Sequence, residues 1–336
     1  MDIRARARTL GITLVGESQS FLRLLQVVDR VARHGNGTVL IRGETGTGKE
    51  LLARATHYLG PRCDFPFVPV NCGALPETLA ENELFGHRSG AFTSARDDSV
   101  GLVRLAHRGT LFLDEVDCLA PKAQVGLLRF LQDGHFRPLG ASREERADVR
   151  VIAACNGNLE DGVAAGRFRQ DLYYRLNLLT LDVPPLRSRS GDPSVLARYF
   201  LCESVQRYGL SPRSLSASTA LWFDQYGWPG NVRELENLLY RECLLSDDEE
   251  LRIAAPRDSQ PSPAAHAPLC ADDADPIQYK VAKSRALEEF DRAYLVRLLE
   301  HAQGNVTRAA EIAGKERRAL GKLLKRYRIA PRTAHP

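Results

Sequence analysis

The sequence predicts an α/β fold in which a parallel sheet carries helices on both faces. Three short apolar runs, TVLIRG, GTLFLDEV and VRVIAACN, are nearly continuous, as is typical of strands that are buried on both sides. Helical patterns such as KELLARATHYL and KAQVGLLRFLQD lie between them. Strands that alternate with helices indicate a parallel sheet, because the crossover between parallel strands usually runs through a helix.

The bulk composition is that of an ordinary globular protein with room for two or three domains. The chain has 336 residues, of which 43% are hydrophobic and 26% are charged. No apolar run approaches the ~20 residues of a membrane span, so no membrane partner is expected. The N-terminus lacks the apolar core of a secretory signal. The seven cysteines contain no C-x-x-C pair, which argues against a zinc site or disulfide framework and predicts a cytoplasmic location.

Positive charge is concentrated near the C-terminus. From Lys280 onward the chain carries 14 Lys and Arg against 6 Asp and Glu, whereas the remainder carries 32 against 36. A basic tail on a mildly acidic body is typical of a segment that binds nucleic acid, although a solvated basic surface has the same composition. The stretch before the tail is rich in Pro, Ala, Ser and Asp, and we interpret it as a linker.

A glycine-rich loop directly after the first predicted strand resembles a phosphate-binding loop. GETGTGKE fits the pattern G-x-x-x-x-G-K-[ST] except at its last position, where Glu50 replaces the hydroxyl residue. Backbone N–H groups around the glycines can surround phosphate oxygens, and Lys49 can reach the β- and γ-phosphates. The residues predicted to bind nucleotide here are Gly43, Glu44, Thr45, Gly46, Thr47, Gly48, Lys49 and Glu50.

Polar residues follow the other two predicted strands. GTLFLDE ends in Asp114 and Glu115, and VRVIAACN ends in Asn156. One strand-end carboxylate can hold Mg²⁺ and the next can polarise an attacking water, while the amide can sense the γ-phosphate. On local evidence alone, the two carboxylates could also be a solvated strand end, and Asn156 could be a turn residue.

Several motifs in order resemble the AAA+ domain of bacterial enhancer-binding proteins, the activators of sigma-54 RNA polymerase. From about residue 15 to residue 247 they are VGES, GETGTGKE, FVPVNC, ELFGHRSGAFTSA, GTLFLDEV, FRQDLYYRLN, VPPLR and WPGNVRELEN. The phosphate loop of this family commonly ends in Lys-Glu, so the resemblance implies a working ATP site. It also implies Mg²⁺ held by Asp114, phosphate oxygens and waters. The implied fold adds a helical lid and a small all-α helix-turn-helix domain to the α/β core.

The resemblance and the composition together divide the chain into five segments. The predicted segments are an N-terminal extension (1–14), an AAA+ α/β ATPase subdomain (15–185), a helical lid (186–250), a flexible linker (251–278) and a Fis-type helix-turn-helix domain (279–332). The first segment is too short for a receiver, GAF or PAS domain. Control is therefore expected from expression level, from a regulatory partner protein or from another subunit.

Motif position implies further residue roles. In FRQDLYYRLN, Arg169 and Arg175 match arginines that this family inserts into the ATP site of a neighbouring subunit. That match implies either a homo-oligomer or a mixed ring with a paralogue. The homo-oligomer is expected to be a hexamer ring that is a dimer at rest. Arg233 matches the second sensor in the lid, and Asn71 matches the asparagine thought to restrain Glu115. On their own, the two arginines could also be surface or helix-capping groups.

GAFTSA, Gly90 to Ala95, lies where the family has G-A-F-T-G-A at the tip of the loop that grips sigma-54. Phe92 and Thr93 match the contact residues, and Ser94 replaces the second glycine. Where the backbone needs a positive φ, serine is less favourable than glycine by about 1 kcal/mol or more. The departure therefore weakens the sigma-54 assignment, and Phe92 could instead be a core residue.

GNVTRAAEIAGKERRALGKLLKRY is interpreted as a helix-turn-helix that resembles the Fis type. Leu320, Leu323, Leu324 and Tyr327 recur at helical spacing and are expected in its core. Basic residues on another face suit a DNA groove and its phosphates, which predicts binding to an upstream activating sequence. The predicted DNA-binding residues, any of which could instead be only solvated, are Arg317, Arg318, Lys322, Lys325 and Arg326.

Three functions are compatible with the sequence. The first is an ATP-hydrolysing transcriptional activator that binds upstream DNA and remodels sigma-54 RNA polymerase. The second is a DNA-binding regulator that keeps the AAA+ fold but acts without sigma-54. The reason to consider it is Ser94, which replaces a glycine of the family's loop. The third, a general AAA+ remodelling enzyme, is disfavoured by GAFTSA and by the helix-turn-helix.

Overall fold

The computed structural model describes most of the first 254 residues and parts of the C-terminal segment. The described residues are 3–77, 79–91, 97–246, 248–254, 295, 298–299, 302, 305–314 and 317–327. The chain divides into two compact units, Met1–Gln260 and Pro261–Pro336. The predicted linker lies outside the described residues from position 255 onward.

The described elements are short strands and helices in alternation. The helices are α1 (Ile3–Thr9), α2 (Gln19–Arg33), α3 (Lys49–Tyr58), α4 (Ala80–Phe85), α5 (Leu102–Leu105), α6 (Pro121–Asp133), α7 (Leu159–Ala164), α8 (Gln170–Leu176), α9 (Asp192–Tyr208), α10 (Ala217–Gln225), α11 (Asn231–Leu245), α12 (Val306–Ile312) and α13 (Arg317–Arg326). The strands are β1 (Val39–Arg42), β2 (Phe67–Asn71), β3 (Gly86–His87), β4 (Ser99–Val100), β5 (Thr110–Asp114), β6 (His135–Phe136), β7 (Glu145–Arg146), β8 (Arg150–Cys155), β9 (Leu179–Asp182), β10 (Ser214–Leu215) and β11 (Glu250–Leu251). Of the helices in the part of the chain that the structure describes, none combines the length and the apolar character that crossing a bilayer requires.

The central sheet has five parallel strands in the order β2-β5-β8-β1-β9. Strand β1 lies between β8 and β9, with Val39 beside Ile152 on one side and beside Leu179 on the other. Asn71 at the end of β2 lies beside Asp114 at the end of β5. The parallel sheet is thus confirmed. Because the carboxyl ends of parallel strands share one edge, the segments after β1, β5 and β8 meet there.

Apolar helices cover both faces of this sheet. Along β1, Val39 and Ile41 pack with residues of α2 and α3, whereas Leu40 packs with residues of α4 and α6. All three side chains are fully buried. A continuous apolar run is what burial on both faces requires, and the prediction of helices on both faces is confirmed.

Helix α6 shows how the local sequence sets element boundaries. Pro121 occupies its first turn, where the missing N–H has no helical partner to lose. Gly134 ends the helix in a left-handed conformation, with φ 77°. Leu127 and Phe130 lie on its buried face and join the core beneath the sheet.

Helix α1 is an element that the sequence pattern does not predict. Ile3 and Ala7, one helical turn apart, are buried in the same core as α2. Arg6 forms an ion pair with Asp29 of α2 at 2.7 Å. Leu14 is buried in this core as well. The predicted N-terminal extension is therefore packed onto the ATPase core.

The lid is a helical subdomain formed by α9, α10 and α11. Trp228 and Phe223 are fully buried at its centre, and Trp228 Nε1 donates to the Phe223 carbonyl oxygen at 2.8 Å. Leu251 and Ile253 belong to the same core. The packed lid therefore extends to Ile253, past the predicted boundary at residue 250.

A buried ion pair joins the lid to the segment before α2. Asp192, at the start of α9, accepts the N–H groups of Glu17 and Ser18 at 2.7 and 2.8 Å. Asp192 also accepts from Arg189 Nε at 2.7 Å. Arg189 in turn donates to the Val15 carbonyl oxygen at 3.1 Å. Charged groups that are buried must be hydrogen-bonded, and this pair fixes the lid to the ATPase core.

The C-terminal unit has a small apolar core of its own. Leu320, Leu324 and Tyr327 are buried in it and Leu323 packs against them, as their helical spacing predicts. Leu295, Leu298 and Leu299, which precede the helix-turn-helix in the chain, belong to the same core.

Candidate nucleotide-binding site

The glycine-rich loop connects the end of β1 to the start of α3. Gly46 and Gly48 have φ values of 79° and 94°, which a side chain resists. A Cβ atom at Gly46 would also lie 2.4 Å from the Gly230 carbonyl oxygen of the lid. The loop therefore needs glycine both for its turn and for the close approach of the lid.

Lys49 is the first residue of α3, and its side chain is buried beneath the loop. Nζ donates to the carbonyl oxygens of Gly43 at 2.8 Å and Glu44 at 3.1 Å. Its third bond, at 2.6 Å, goes to Oδ1 of Asn156 just after β8. Burial lowers the pKa of Lys49, and the nearby Asp114 opposes that shift. The cation is thus held by three neutral acceptors, which leave its charge available to phosphate oxygens.

Asn156 connects Lys49 to a strand-end carboxylate. Its Nδ2 donates to Oε1 of Glu115 at 3.0 Å. Glu115 has a left-handed backbone, with φ 52°, which is uncommon for a residue other than glycine and clusters at functional sites. Asp114 accepts the N–H of Glu115 at 3.0 Å, and burial raises the pKa of Asp114. Lys49, Asn156 and Glu115 are thus linked by hydrogen bonds, and we call this set the Lys49–Asn156–Glu115 chain.

These groups line a cleft of about 560 Å³ between the ATPase core and the lid. The lining includes the loop from Thr45 to Glu50, both strand-end carboxylates and Arg233 of the lid. It also includes apolar side chains, among them Leu14, Phe21, Leu196 and Phe200. This combination suits a ligand with a planar apolar part and a polyanionic part.

The site suits magnesium that arrives with a polyphosphate. Across the described ranges, no three His, Cys, Asp or Glu side chains come together as a metal site. Mg²⁺ commonly keeps several waters and takes one or two carboxylates plus phosphate oxygens. Asp114, at the end of β5 and facing the cleft, can supply such a carboxylate.

Two predicted site residues have contacts other than those expected. Glu50 lines the cleft, but its carboxylate accepts from Arg54 on the next turn of α3, at 2.8 and 2.9 Å. The carboxamide oxygen of Asn71 caps the turn after β2. Glu115 is held by Asn156 instead, so the switch role of Asn71 stays a prediction.

Arg169 and Arg175 are exposed on the surface. Arg169 forms a two-pronged ion pair with Asp171, at 2.7 and 3.0 Å. Arg175 donates to the carbonyl oxygens of Leu131 and Gln132 near the end of α6. Neither arginine belongs to the described lining of the cleft in its own chain. Their action on a neighbouring subunit stays a prediction.

The predicted contacts with sigma-54 fall on residues that the structure does not describe. Phe92, Thr93 and Ser94 lie in the undescribed segment 92–96. Arg88 and Asp98, on either side of that segment, form an ion pair at 2.6 Å. The roles of the three residues stay predictions.

Helix α13 carries its predicted DNA-binding cations on the exposed side. Arg317, Arg318, Lys322 and Lys325 are exposed, while the side chain of Arg326 lies outside the described atoms. The cations are separate from the buried face of the helix, so they can approach phosphates without disturbing its core.

Two residues that the sequence did not single out contact the phosphate loop. Arg187, at the entry to the lid, forms a bidentate ion pair with Glu44, at 2.5 and 2.8 Å. Asn231 donates to Oε2 of Glu44 and to the Thr45 carbonyl oxygen, each at 3.1 Å. One sequence signal for Asn231 was available: it follows glycine at a helix start, and asparagine tolerates the left-handed conformation.

A phosphate loop, strand-end carboxylates and a lid arginine around one cleft define a phosphate-loop ATPase with a helical lid. Comparison with known families identifies the family of phosphate-loop ATPases to which the chain belongs. The Sigma-54 interaction domain matches residues 14–182, the AAA+ ATPase lid domain matches residues 187–263, and the bacterial regulatory protein Fis family matches residues 286–327. The chain belongs to the sigma-54 interaction domain family and ends in a Fis-type helix-turn-helix region.

Individual relatives agree with this assignment. The chain is 42% identical over 322 residues to the response regulator protein PilR of Pseudomonas aeruginosa, covering 94% of this chain and 70% of PilR. It is 41% identical over 314 residues to the hydrogenase transcriptional regulatory protein HoxA of Bradyrhizobium diazoefficiens, covering 94% of this chain and 64% of HoxA. The chain thus spans about two thirds of the length of these relatives.

A solved structure supports the fold. NtrX from Brucella abortus in complex with ATP matches with a TM-score of 0.69 and 33% identity, covering 97% of this chain and 72% of NtrX.

We predict that Glu115→Gln retains nucleotide binding and loses turnover. The amide keeps the shape of the side chain and can still bond to Asn156, but it cannot polarise water as a carboxylate does. A general base typically contributes 10²–10⁴-fold, so kcat should fall by about that factor. Steady-state ATPase assays and titration with a fluorescent ATP analogue measure the two effects.

Asp117→Asn is the matched control, because Asp117 is exposed two residues further on and does not line the cleft. It should behave as wild type. Wild-type turnover in Glu115→Gln as well as in Asp117→Asn would show that Glu115 is not the catalytic carboxylate.

Proposed function

We propose that the chain is an ATP-hydrolysing transcriptional activator that binds upstream DNA and remodels sigma-54 RNA polymerase. The observation that carries this proposal is the Lys49–Asn156–Glu115 chain, which joins the phosphate loop to a strand-end carboxylate. The chain belongs to the sigma-54 interaction domain family. The complex of the relative NtrX with ATP supports ATP as the nucleotide.

Each group of the site has a proposed role in ATP hydrolysis. The amides of the loop and the ammonium of Lys49 hold the β- and γ-phosphates. Bound Mg²⁺ supplies positive charge that offsets the charge of the phosphates, and Asp114 is its proposed protein ligand. Glu115 polarises the attacking water in the orientation that Asn156 gives it. Arg233 reads the nucleotide from the lid.

We propose that the active form is a ring in which each ATP site uses two subunits. The support is the position of Arg169 and Arg175, which are exposed and lie outside the cleft of their own chain. Arginine stays charged and can bind phosphate oxygens with two parallel hydrogen bonds. A hexamer that is a dimer at rest, or a mixed ring with a paralogue, would place these arginines beside a neighbour's ATP.

DNA and sigma-54 RNA polymerase are the proposed macromolecular partners. The Fis family match supports DNA as the partner of α13. Sigma-54 RNA polymerase is the proposed partner of Phe92, Thr93 and Ser94. A regulatory partner protein and a cytoplasmic location are further proposals that rest on the sequence alone, as do the five domain boundaries, with the end of the lid moved from residue 250 to Ile253.

We predict that ATPase activity depends on self-association. The specific rate of the wild type should rise with protein concentration. Arg175→Ala should lose turnover because its neighbour's phosphates lose a cation. A mixture of Arg175→Ala with Glu115→Gln should recover part of the activity, because some interfaces then combine an intact Glu115 with an intact Arg175.

Arg167→Ala is the control for this experiment, since Arg167 is exposed just before α8 and should be dispensable. A specific rate that is constant with protein concentration, together with no recovery in the mixture, would contradict the shared site.

Transcription in vitro with sigma-54 polymerase tests the proposed function directly. Wild-type protein should open a sigma-54 promoter only when ATP is hydrolysed. Thr93→Ala should abolish opening and leave ATPase activity nearly unchanged. Ser94→Gly should increase opening about two- to fivefold, because at a position that requires a positive φ glycine is more favourable than serine by about 1 kcal/mol.

The combined results for wild type and these two variants decide between the sigma-54 activator and the regulator that acts without sigma-54. If wild-type protein fails to open the promoter, and Thr93→Ala and Ser94→Gly change nothing, the regulator that acts without sigma-54 replaces the activator. DNA footprinting with the same proteins shows whether that regulator still binds its site.

A further inference from the structure

A polar cluster lies where the lid meets the phosphate loop. It consists of Glu44 in the loop, Arg187 at the entry to the lid and Asn231 at the start of α11, and we call it the loop–lid clamp. Asn231 is fully buried and has a left-handed backbone, with φ 53°. Asparagine is one of the few residues that adopts this conformation readily.

The side chain of Asn231 bridges three segments of the chain. Its Oδ1 accepts the Leu186 N–H at 2.8 Å, at the entry to the lid. Its Nδ2 donates to Oε2 of Glu44 and to the Thr45 carbonyl oxygen, each at 3.1 Å. Both ends of the amide are therefore used, and a buried amide with satisfied bonds holds its neighbours in one arrangement.

The ion pair between Arg187 and Glu44 completes the clamp. The two guanidinium nitrogens donate to the two carboxylate oxygens at 2.5 and 2.8 Å. Hydrogen bonds from Arg187 and then Asn231 lower the pKa of Glu44 to about 2, so its carboxylate is charged at neutral pH. Both side chains of the pair are partly exposed, so the ion pair alone stabilises only modestly.

The clamp acts on the part of the loop that faces the phosphates. Two carbonyl oxygens of the loop accept hydrogen bonds from the lid: Thr45 O from Asn231, and Gly46 O from the Arg233 N–H at 3.3 Å. In a trans peptide the C=O and the following N–H point in opposite directions. Fixing the Thr45 carbonyl toward the lid therefore turns the Gly46 N–H away from the lid.

We propose that the loop–lid clamp is a positioning device that sets nucleotide affinity by tying the orientation of the phosphate loop to the lid. This inference rests on the proposed ATP-binding function. Arg233 contacts the cleft itself, whereas Asn231, Glu44 and Arg187 act through the loop and are positioning residues. Without these bonds, the N–H groups of the loop are no longer held for the phosphates.

Asn231→Asp is the decisive variant. The new carboxylate keeps an oxygen for the Leu186 N–H and suits the left-handed backbone, so the lid should still fold. Its second oxygen faces Glu44 and the Thr45 carbonyl in place of a donor, and three acceptors repel one another. The dissociation constant of a fluorescent ADP analogue should rise on the order of tenfold.

Two further variants separate positioning from damage to the fold. Asn237→Asp places the same charge on an exposed position of the same helix and should bind as wild type. Adding Glu44→Gln to Asn231→Asp supplies an amide donor to the new carboxylate, and the dissociation constant should fall back toward the wild-type value. In the ATPase assay, Asn231→Asp should raise KM much more than it lowers kcat, whereas a fraction of unfolded protein would lower kcat alone.

The outcomes distinguish this inference from the proposed function. Wild-type affinity in Asn231→Asp, or a double variant weaker than either single one, would overturn the clamp. If Asn231→Asp fails to fold by tryptophan fluorescence, Glu44→Gln alone decides: wild-type affinity then overturns the clamp. If wild-type protein binds the ADP analogue but hydrolyses no ATP, the proposed function fails while the clamp stands.

Discussion

A buried ammonium group, Nζ of Lys49, is the constraint on which the site depends. An isolated charge is strongly unfavourable in a protein interior, so Nζ needs oxygen acceptors on several sides. The loop supplies two carbonyl oxygens, and Asn156 supplies the third. Lys49 and Asn156 are 107 positions apart; they meet because β8 pairs with β1 in the sheet. The strand order is therefore a requirement of the site as well as of the core.

Two sets of hydrogen bonds hold the phosphate loop, one from each side. On the sheet side, the Lys49–Asn156–Glu115 chain ties the loop to a carboxylate in a strained backbone conformation. On the lid side, Asn231 and the Arg233 N–H hold two loop carbonyls. A buried ion pair between Arg189 and Asp192 fixes the lid to the ATPase core at a separate place. The geometry of the loop thus depends on both subdomains.

The sequence predicts those features that local pattern encodes. Continuous apolar runs locate β1, β5 and β8, and the residues that follow them, Asp114 and Asn156 among them, lie at one edge because the sheet is parallel. The contacts of Asn231 and Arg187 with Glu44 join positions 187 and 143 apart in the chain, and no local pattern encodes them. Helix α1 is missed because its buried residues, Ile3 and Ala7, stand among arginines, and two apolar positions are too few to establish a helical period.

We infer that the two hydrogen bonds of Asn156 align Glu115 with Lys49. The rate of a single turnover of bound ATP measures the effect of this alignment. Asn156→Ala removes one bond from each partner, and loss of a charge-assisted hydrogen bond is worth about tenfold or more. We therefore expect Asn156→Ala to slow hydrolysis of bound ATP by at least about tenfold. Asn158→Ala, an exposed neighbour, should match wild type. Equal rates in wild type, Asn156→Ala and Asn158→Ala would show that Asn156 does not position Glu115 for hydrolysis.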